Sequence, residues 1–281
     1  MRANKIFALP FALLGAFLGF QYIQAHSLTP DKPYWLSLVL VVLCMIFARS
    51  AAMAFNRYID RDIDAQNDRT VKREIPAGIV SIRQARWFIA LNAGLFIATT
   101  WFINPLCFFL SPVALAVILG YSYTKRFTAL CHLVLGLGLA LAPVGAFIAV
   151  TAQFTWPPIV LGIVVLTWVS GFDIIYALQD DDFDRAHALN SIPAMLGRNR
   201  ALLVSTTLHF VTAGLIVLFG ILTSAGLVYW LGAAVFLGLL AYQHVLVKPT
   251  DLSKVNLAFF TTNGIASVVF ACFAITELLL R

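Results

Sequence analysis

The acidic residues of this chain are concentrated in two short segments. Thirteen Asp and Glu residues occur among 281 residues, and ten of the thirteen lie within positions 60–74 and 173–184. In and just before the first segment, Asn56, Asp60 and Asp64 recur every four positions. Side chains four residues apart lie on the same face of a helix, so a helix that continues through this segment presents an oxygen-rich face.

The second segment carries a similar stripe of polar side chains. Offsets of 0, 3, 7 and 11 residues place four of them on one face of a helix, and these are Asp173, Tyr176, Asp180 and Asp184. Three further acidic residues, Asp62, Asp181 and Asp182, are expected to point away from the two stripes. Each segment therefore offers a face with two or three carboxylates.

Carboxylates stacked in this way repel one another, and an uncompensated cluster raises its own pKa values. Hard divalent cations relieve the repulsion, and Mg²⁺ typically binds through one or two carboxylates together with phosphate oxygens and water. Two facing clusters would hold a Mg²⁺–diphosphate between them. The alternative is that both stripes are solvated loop ends, but two such stripes, each at the end of a helix, favour the metal site.

Basic residues lie close to the first stripe and in one further loop. Arg69, Lys72 and Arg73 follow the first stripe, and Lys125 is adjacent to Arg126 in a short polar segment. Arginine makes bidentate contacts to phosphate oxygens, and lysine supplies a mobile point charge. These residues predict the cationic half of a phosphate site.

The composition specifies the kind of protein that must position these groups. Hydrophobic residues make up 61% of the chain, charged residues only 11%, and the mean hydropathy is +0.89. A soluble domain carries about 25% charged residues, so a water-soluble enzyme, a disordered chain and a nucleic-acid-binding module are excluded. The sequence predicts an all-α, polytopic membrane protein.

Nine continuous apolar runs are long enough to span a bilayer as helices. A transmembrane β-barrel would instead show alternating segments of about ten residues. The predicted spans are 7–25, 34–54, 85–104, 106–122, 130–150, 158–178, 201–222, 224–246 and 255–278. They leave no room for a separate soluble domain, so positions 1–281 are expected to form one integral-membrane domain.

The basic residues predict the orientation, because Lys and Arg accumulate in cytoplasmic loops. With the N-terminal tail (Arg2 and Lys5) inside, all but Lys32 and Arg281 of the 19 basic residues are cytoplasmic. Both acidic stripes then face the cytoplasm. The first run resembles a secretory signal with a weak cleavage site near Ala25, but its length favours retention as the first span.

Most of the histidine and cysteine residues are expected to have structural roles. His132, His209 and His244 lie scattered within spans, whereas His187 is close enough to the second stripe to line a site. The four cysteines occur singly in apolar runs without metal-ligand spacing. We expect each of them to be a small, buried residue, and they are Cys44, Cys107, Cys131 and Cys272.

These motifs resemble the UbiA superfamily of intramembrane aromatic prenyltransferases. Positions 56–64 are similar to its N-x-x-x-D-x-x-x-D motif, and positions 69–78 to its R-T-x-x-R-P-L-P-S-G segment. Positions 121–126 fit Y-x-x-x-K-R, and positions 173–184 fit D-x-x-Y-A-x-x-D-x-x-x-D. The resemblance covers the chain in order and spacing.

The resemblance implies nine transmembrane helices around a central cavity, closed on the cytoplasmic side by the two motif loops. It implies Mg²⁺-dependent transfer of a polyprenyl group from an allylic polyprenyl diphosphate to an aromatic quinone precursor in the membrane. The acceptor that fits best is 4-hydroxybenzoate, and a 1,4-dihydroxynaphthoate is the alternative. No nucleic acid and no obligate protein partner are implied, and a bacterial inner membrane is the expected location.

Roles for individual residues follow from the resemblance. One metal ion is assigned to Asn56, Asp60 and Asp64, and the other to Asp180 and Asp184. Asp173 and Tyr176 are expected to face the aromatic acceptor. The diphosphate-binding residues are Arg69, Arg73, Lys125 and Arg126. The chain departs from the family pattern at Arg57, where many relatives have Asp, and at Glu74, where they have Pro, which bears on loop shape and acceptor preference.

Two other functions stay open at this stage. The stripes are 120 residues apart, Asp60 to Asp180 and Asp64 to Asp184, which suggests an internal repeat of the kind that secondary transporters share. Both stripes are expected on the same side of the membrane, however, whereas transporters place ion sites near the midplane. A haem, chlorophyll or lipid prenyltransferase of the same superfamily would keep the ionisation chemistry and change only the acceptor.

Overall fold

The computed structural model describes residues 7–281 and, within them, nine helices long and apolar enough to cross a membrane. In chain order the helices are α1 Ala8–Ala25, α2 Tyr34–Ile59, α3 Arg61–Asp64, α4 Ile82–Ile103, α5 Pro105–Thr124, α6 Cys131–Thr151, α7 Trp156–Ala177, α8 Asp181–Ala186, α9 Ile192–Leu196, α10 Arg198–Leu222, α11 Leu227–Leu246 and α12 Asn263–Leu279. A 3₁₀ turn, Leu178–Asp180, joins α7 to α8, and a π-helical turn, Leu257–Thr262, leads into α12.

The predicted all-α architecture with nine spans is confirmed, and its boundaries move by a few residues. The largest change is in the sixth span, which runs through the 3₁₀ turn and α8 to Ala186, eight residues beyond the predicted end at position 178. Helix α2 continues to Ile59, five residues beyond the predicted end at position 54. The helix does not continue through the first stripe: α2 ends and α3 begins on either side of Asp60, whose φ and ψ are −88° and 4°. The predicted tail residues Arg2 and Lys5 lie outside the described residues.

Close contact between α6 and α7 brings two walls of the fold together. A Cβ atom on Gly136 would lie 2.5 Å from both the Leu166 carbonyl oxygen and the Ser170 Oγ, so only glycine permits this approach. The Ser170 hydroxyl donates to the carbonyl oxygens of Leu166 and His132. The two helices are therefore closest about one turn from His132 and from Asp173.

The π-helical turn before α12 is stabilised by one buried asparagine. The Nδ2 of Asn263 donates to the carbonyl oxygens of Ala258 and Phe259, at 3.1 and 3.0 Å. Its Oδ1 accepts from Trp168 Nε1 and Gln243 Nε2. A π-turn replaces the usual i→i−4 backbone hydrogen bonds with i→i−5 bonds, and Asn263 adds a side-chain donor to two carbonyl oxygens of this turn.

Aromatic side chains mark where the helices leave the bilayer. Trp35 at the start of α2, Trp101 near the end of α4 and Trp156 at the start of α7 are all exposed and lie at the same end of the bundle. Trp87 is exposed at the opposite end. Tryptophan is enriched at both membrane interfaces, and these four residues lie near the two ends of the apolar helices, as that enrichment predicts.

The cysteine expectation is correct for only two of the four residues. Cys107 and Cys131 are buried, Cys44 is partly buried, and Cys272 is exposed on α12. In a membrane protein an apolar thiol can face lipid as readily as the core, because lipid tails impose no penalty on it.

Candidate active site

A cavity of about 1320 Å³ lies between α1, α2 and α4–α7 and is lined by apolar side chains along most of its length. Its polar end lies where α2, α5 and α7 end. All eleven residues predicted from the sequence line it: Asn56, Asp60, Asp64, Arg69, Arg73, Lys125, Arg126, Asp173, Tyr176, Asp180 and Asp184.

Asp60 is held by one residue of its own helix and one of the loop after α5. The Nδ2 of Asn56 donates to Asp60 Oδ2 at 3.0 Å, and Arg126 Nη2 lies 3.1 Å from Asp60 Oδ1. The same guanidinium donates to the Ile59 carbonyl oxygen at 2.9 Å. Burial raises the pKa of Asp60, and the positive charge of Arg126 opposes the rise.

Asp64 is more deeply buried and pairs with a residue nine positions later. Arg73 Nη1 lies 2.9 and 2.8 Å from the two carboxylate oxygens. The Thr70 hydroxyl donates to the Asp64 carbonyl oxygen at 3.1 Å. The loop after α3 therefore folds back over the first segment.

Asp180 pairs with the same loop across the cavity. Arg69 Nε donates to Asp180 Oδ1 at 2.9 Å, Arg69 Nη2 bonds to Oδ2, and Arg69 Nη1 donates to the Tyr176 hydroxyl at 2.9 Å. Burial acts to lower the pKa of Arg69, but the hydrogen bonds to Asp180 and its charge outweigh this effect and raise the pKa. Phe259 of the π-turn stacks on the Tyr176 ring with centroids 4.1 Å apart.

Asp184 is fully buried and has Lys125 as its cation. Lys125 Nζ lies 2.6 Å from Asp184 Oδ1, and the Lys125 carbonyl oxygen accepts from the Asn190 backbone N–H at 2.8 Å. Within residues 7–281, Asp184 Oδ2 is buried without a hydrogen-bond partner.

The four carboxylates and four cations form one-to-one pairs in a regular arrangement. The loop after α3 gives Arg73 to the first segment and Arg69 to the second, and the loop after α5 gives Arg126 to the first and Lys125 to the second. Each cationic loop therefore bridges both acidic segments, and the polar end of the cavity is closed by these ion pairs.

The comparison with protein families gives a match to the UbiA prenyltransferase family over residues 7–265. The chain belongs to this family. The predicted resemblance is thereby confirmed.

Individual UbiA relatives cover nearly the whole chain. The 4-hydroxybenzoate octaprenyltransferase of Burkholderia orbicola is 32% identical over 251 residues, which are 88% of this chain and 86% of the relative. The structure of a UbiA homolog from Aeropyrum pernix superposes with a TM-score of 0.85 at 30% identity, covering 97% of both chains. A UbiA homolog from Archaeoglobus fulgidus, bound to DMAPP and Mg²⁺, has a TM-score of 0.74 at 20% identity, covering 100% of this chain and 99% of that one.

The donor set at the polar end of the UbiA cavity fits a hard divalent cation. Its groups are carboxylate and amide oxygens, the ligands that Mg²⁺ prefers, and the buried Asp184 Oδ2 is free to accept one. The described part of the chain contains no preassembled cluster of three or more His, Cys, Asp or Glu side chains, because each carboxylate faces its Lys or Arg partner instead.

The two departures from the UbiA pattern contact each other. Arg57 Nη1 and Glu74 Oε2 form an ion pair, and both residues line the cavity. The pair ties the end of α2 to the loop after α3, next to Asp64 and Arg73. Position 57 thus carries a positive charge where many relatives have Asp, and the negative charge of Glu74 compensates it.

Sequence reasoning missed Arg49 as a cavity residue and counted it only among the 17 basic residues expected on the cytoplasmic side. It lies within α2, two turns before Asn56, and lines the cavity. Within the described residues it has no ion pair or hydrogen bond, unlike the four cations at the polar end. A helical projection could have found it, since positions 49, 56 and 60 share one face.

The structure agrees with the structural role expected of His209 and His244 but places His132 in the cavity wall. His132 lines the cavity and its Nδ1 lies 2.7 Å from Asp173 Oδ2. His209 and His244 are not scattered but hydrogen-bonded to each other at 2.8 Å, outside the cavity. His187 is exposed, stacks on Phe183 and does not line the cavity, so the suggestion that it lines the site is wrong.

Proposed function

We propose that the chain transfers a polyprenyl group from an allylic polyprenyl diphosphate to an aromatic acid, with 4-hydroxybenzoate as the acceptor that fits best, and forms a carbon–carbon bond. The observation that carries the proposal is the set of four carboxylate–cation pairs at the mouth of a long apolar cavity. The name of the Burkholderia relative and the ligands of the Archaeoglobus homolog support it.

The ion pairs provide both halves of a Mg²⁺–diphosphate site. Asn56, Asp60 and Asp64 would hold one metal ion, and Asp180 with Asp184 the other. The metal would stabilise the negative charge that develops on the leaving diphosphate.

If metal ions bind the carboxylates, the Arg and Lys side chains that paired with those carboxylates become available to the negative charge of the diphosphate. Their guanidinium and ammonium donors then bind phosphate oxygens through charge-assisted hydrogen bonds, and they are Arg69, Arg73, Lys125 and Arg126. Hydrogen-bond donors that meet the charge developing on a leaving group are usually among the largest electrostatic contributions to catalysis.

The apolar part of the cavity suits the other end of the donor substrate. A polyprenyl chain has no polar groups to satisfy, and the side chains that exclude water from it also protect an allylic cation from hydrolysis. Tyr176 lies where the apolar part meets the polar end, stacked on Phe259 and with the Arg69 guanidinium over its ring, 5.4 Å from the centroid.

Arg49 supplies the counter-charge for the acceptor's carboxylate. It lies on the same face of α2 as Asn56 but deeper in the cavity, and no acidic side chain of the described chain neutralises it. Asp173 and Tyr176, which are expected to face the acceptor, line the same cavity as Arg49. We expect Arg49→Gln to raise the KM for the acceptor about tenfold, the equivalent of about 1.4 kcal/mol, without changing the KM for the diphosphate.

The test is product formation by purified protein in detergent. The protein is incubated with a polyprenyl diphosphate, Mg²⁺ and one acceptor at a time: 4-hydroxybenzoate, 1,4-dihydroxynaphthoate or 1,4-dihydroxy-6-naphthoate. Products are identified by mass spectrometry. Prenylated 4-hydroxybenzoate is the expected product. Exclusive prenylation of a naphthoate would overturn the acceptor assignment, and no product with any acceptor would overturn the function, since a transporter needs two compartments and makes none.

The metal assignment is tested in the same assay. EDTA should stop product formation and added Mg²⁺ should restore it. Asp60→Ala and Asp180→Ala should abolish turnover while the protein remains in the membrane fraction. Full activity of both variants with excess Mg²⁺ would contradict the assignment.

We propose further that the polar end faces the cytoplasm of a bacterial cell. The support is the distribution of Lys and Arg, which favours the loops at that end. Single cysteines introduced at exposed loop positions 66 and 154 in a cysteine-free variant should react with a membrane-impermeant thiol reagent from opposite sides, position 154 in intact spheroplasts and position 66 only after lysis.

A further inference from the structure

His132 and Asp173 form a hydrogen-bonded pair in the cavity wall. The distance from His132 Nδ1 to Asp173 Oδ2 is 2.7 Å, and both residues line the cavity. The histidine is only 3% exposed, whereas the Asp173 side chain is 21% exposed. The imidazole is therefore behind the carboxylate, and the carboxylate reaches the space where an acceptor would bind.

A second contact determines which imidazole nitrogen carries the proton. The backbone N–H of Ile192, at the start of α9, donates to His132 Nε2 at 3.3 Å. A nitrogen that accepts a hydrogen bond has no proton of its own, so in the neutral ring the proton is on Nδ1. His132 thus donates from Nδ1 to Asp173 Oδ2.

The backbone positions both partners. Gly136, one turn after His132, allows α6 to approach α7 at Ser170, which lies just before Asp173. The Ser170 hydroxyl donates to the His132 carbonyl oxygen at 3.1 Å. Ser191 caps α9 through the Ala194 N–H, which orients the adjacent Ile192 N–H.

Asp173 differs from the other cavity carboxylates in its partner. Among the described residues, the cavity carboxylates Asp60, Asp64, Glu74, Asp180 and Asp184 each pair with Lys or Arg. Asp173 pairs with an imidazole instead. It therefore stays an available base when the cations bind the diphosphate.

We propose that Asp173 is the base that removes the ring proton of the alkylated acceptor, and that His132 is the positioning residue that holds it in place. This rests on the proposed prenyl transfer. The ring carbon attacks the allylic cation and becomes tetrahedral while keeping its hydrogen. The Asp173 carboxylate takes that proton, and the electron pair of the C–H bond returns to the ring and restores aromaticity.

The test compares substitutions at His132 that keep or remove the hydrogen bonds. His132→Gln can still donate to Asp173 and accept from Ile192, whereas His132→Phe can do neither. We expect kcat near wild type for His132→Gln and a loss of about 10- to 100-fold for His132→Phe, the range typical of supporting hydrogen bonds at metal sites. For Asp173→Asn we expect a loss of about 10²–10⁴-fold, the contribution of a general base.

The deciding readout is the deuterium isotope effect on kcat with acceptor labelled at the reacting ring carbon. It should be near unity for wild type, where ionisation limits the rate, and clearly larger for His132→Phe and Asp173→Asn, where proton removal becomes slow. The ratio does not depend on how much protein is folded. Reduced kcat with an unchanged isotope effect, or wild-type kcat in either variant, would overturn the proposal.

Two further measurements separate this proposal from the proposed function. Histidine ¹⁵N NMR in detergent should show that His132 is protonated at Nδ1 and not at Nε2. The His132 signal is identified by its absence from the spectrum of His132→Gln, and it should shift in Asp173→Asn. Protonation at Nε2 would overturn the pair even in an active enzyme. His244→Gln, outside the cavity, is the control and should retain wild-type kcat and isotope effect. If wild type makes no product, the proposed function fails and the catalytic role with it.

Discussion

The two acidic segments differ in how firmly the fold holds them. Asp180 and Asp184 follow α7 through a 3₁₀ turn into α8, and Asp180, with φ −112° and ψ 5°, departs from α-helical geometry as Asp60 does in the first segment. Between them, Asp181 is 1% exposed and accepts two hydrogen bonds from Arg198 and one from Arg185. Within residues 7–281, the first segment has no acidic residue that is buried behind its stripe in the way that Asp181 is.

The exposed pair in the first segment illustrates the contrast. Arg61 contacts Asp62 at 3.2 Å, and the Asp62 side chain is 76% exposed. Acidic residues that point away from the stripes are thus used in two ways: Asp181 anchors its segment to α10, and Asp62 is solvated. We therefore expect the second segment to act as a fixed wall and the first segment to adjust to a ligand.

Replacing a carboxylate in either segment should have the largest effect. Asp184→Asn and Asp60→Asn each remove a proposed metal ligand, and we expect kcat to fall about 10²–10³-fold in both. Their stabilities should differ. Asp184 is fully buried and its loss should cost about 1–3 kcal/mol, whereas Asp60 is partly exposed and its loss should cost about 1 kcal/mol or less. Turnover and thermal unfolding in one detergent measure both, and equal unfolding temperatures would remove the contrast.

The second largest effect is expected from breaking the contact between Asp181 and Arg198, which anchors the second segment to α10. Arg198→Ala leaves the buried Asp181 with only Arg185, so we expect a loss of about 1–3 kcal/mol in unfolding free energy together with reduced turnover. Arg61→Ala is the matched control in the first segment and should change stability by about 0.5 kcal/mol or less. The measurement is chemical unfolding in detergent. A larger effect of Arg61→Ala would reverse the assignment of the fixed wall.

Substitutions in the bridging loop should have a smaller effect on turnover. Arg69→Met and Arg73→Met each remove one diphosphate contact, and we expect the KM for the diphosphate to rise about tenfold in both, the equivalent of about 1.4 kcal/mol. Only Arg69 crosses to the fixed wall at Asp180. Amide hydrogen exchange over positions 65–80 should therefore be faster in Arg69→Met than in Arg73→Met, and identical exchange in the two would contradict the bridging role.

The smallest effect is expected for the pair that departs from the family pattern. Glu74 is 41% exposed at its side chain, and exposed ion pairs contribute about 0.2–1 kcal/mol. A double-mutant cycle with Arg57→Gln and Glu74→Gln, followed by thermal unfolding, should give a coupling energy in this range. A coupling of several kcal/mol would place a further anchor on the first segment.

Much of the fold and site could be predicted because two simple periodicities carry the information. Apolar runs of bilayer length specify the nine spans, and helical spacing specifies the two stripes. The eleven predicted site residues therefore line one cavity. Which carboxylate meets which cation could not be predicted, because pairs such as Arg69 with Asp180 join residues 111 positions apart.

The residues that were missed share one physical property. Arg49 and His132 lie inside apolar spans, where hydropathy alone does not distinguish the side of a helix that faces lipid from the side that faces a cavity; only the helical spacing of Arg49 from Asn56 and Asp60 carries that information. In a soluble protein the polar face would reveal the orientation, but here both faces are apolar. The break at Asp60 also leaves no signal, since neither Gly nor Pro marks it.

The four ion pairs make the polar end of the cavity electrically neutral. A free divalent cation would meet carboxylates that are already neutralised, and a free diphosphate would meet cations that are already neutralised. When the divalent cation and the diphosphate bind together, the carboxylates pair with the cation and the Arg and Lys side chains pair with the diphosphate. No charge is then left unpaired in surroundings of low dielectric constant. Their binding should therefore be thermodynamically coupled, each raising the affinity for the other by the same factor, so that the site discriminates against either ion alone.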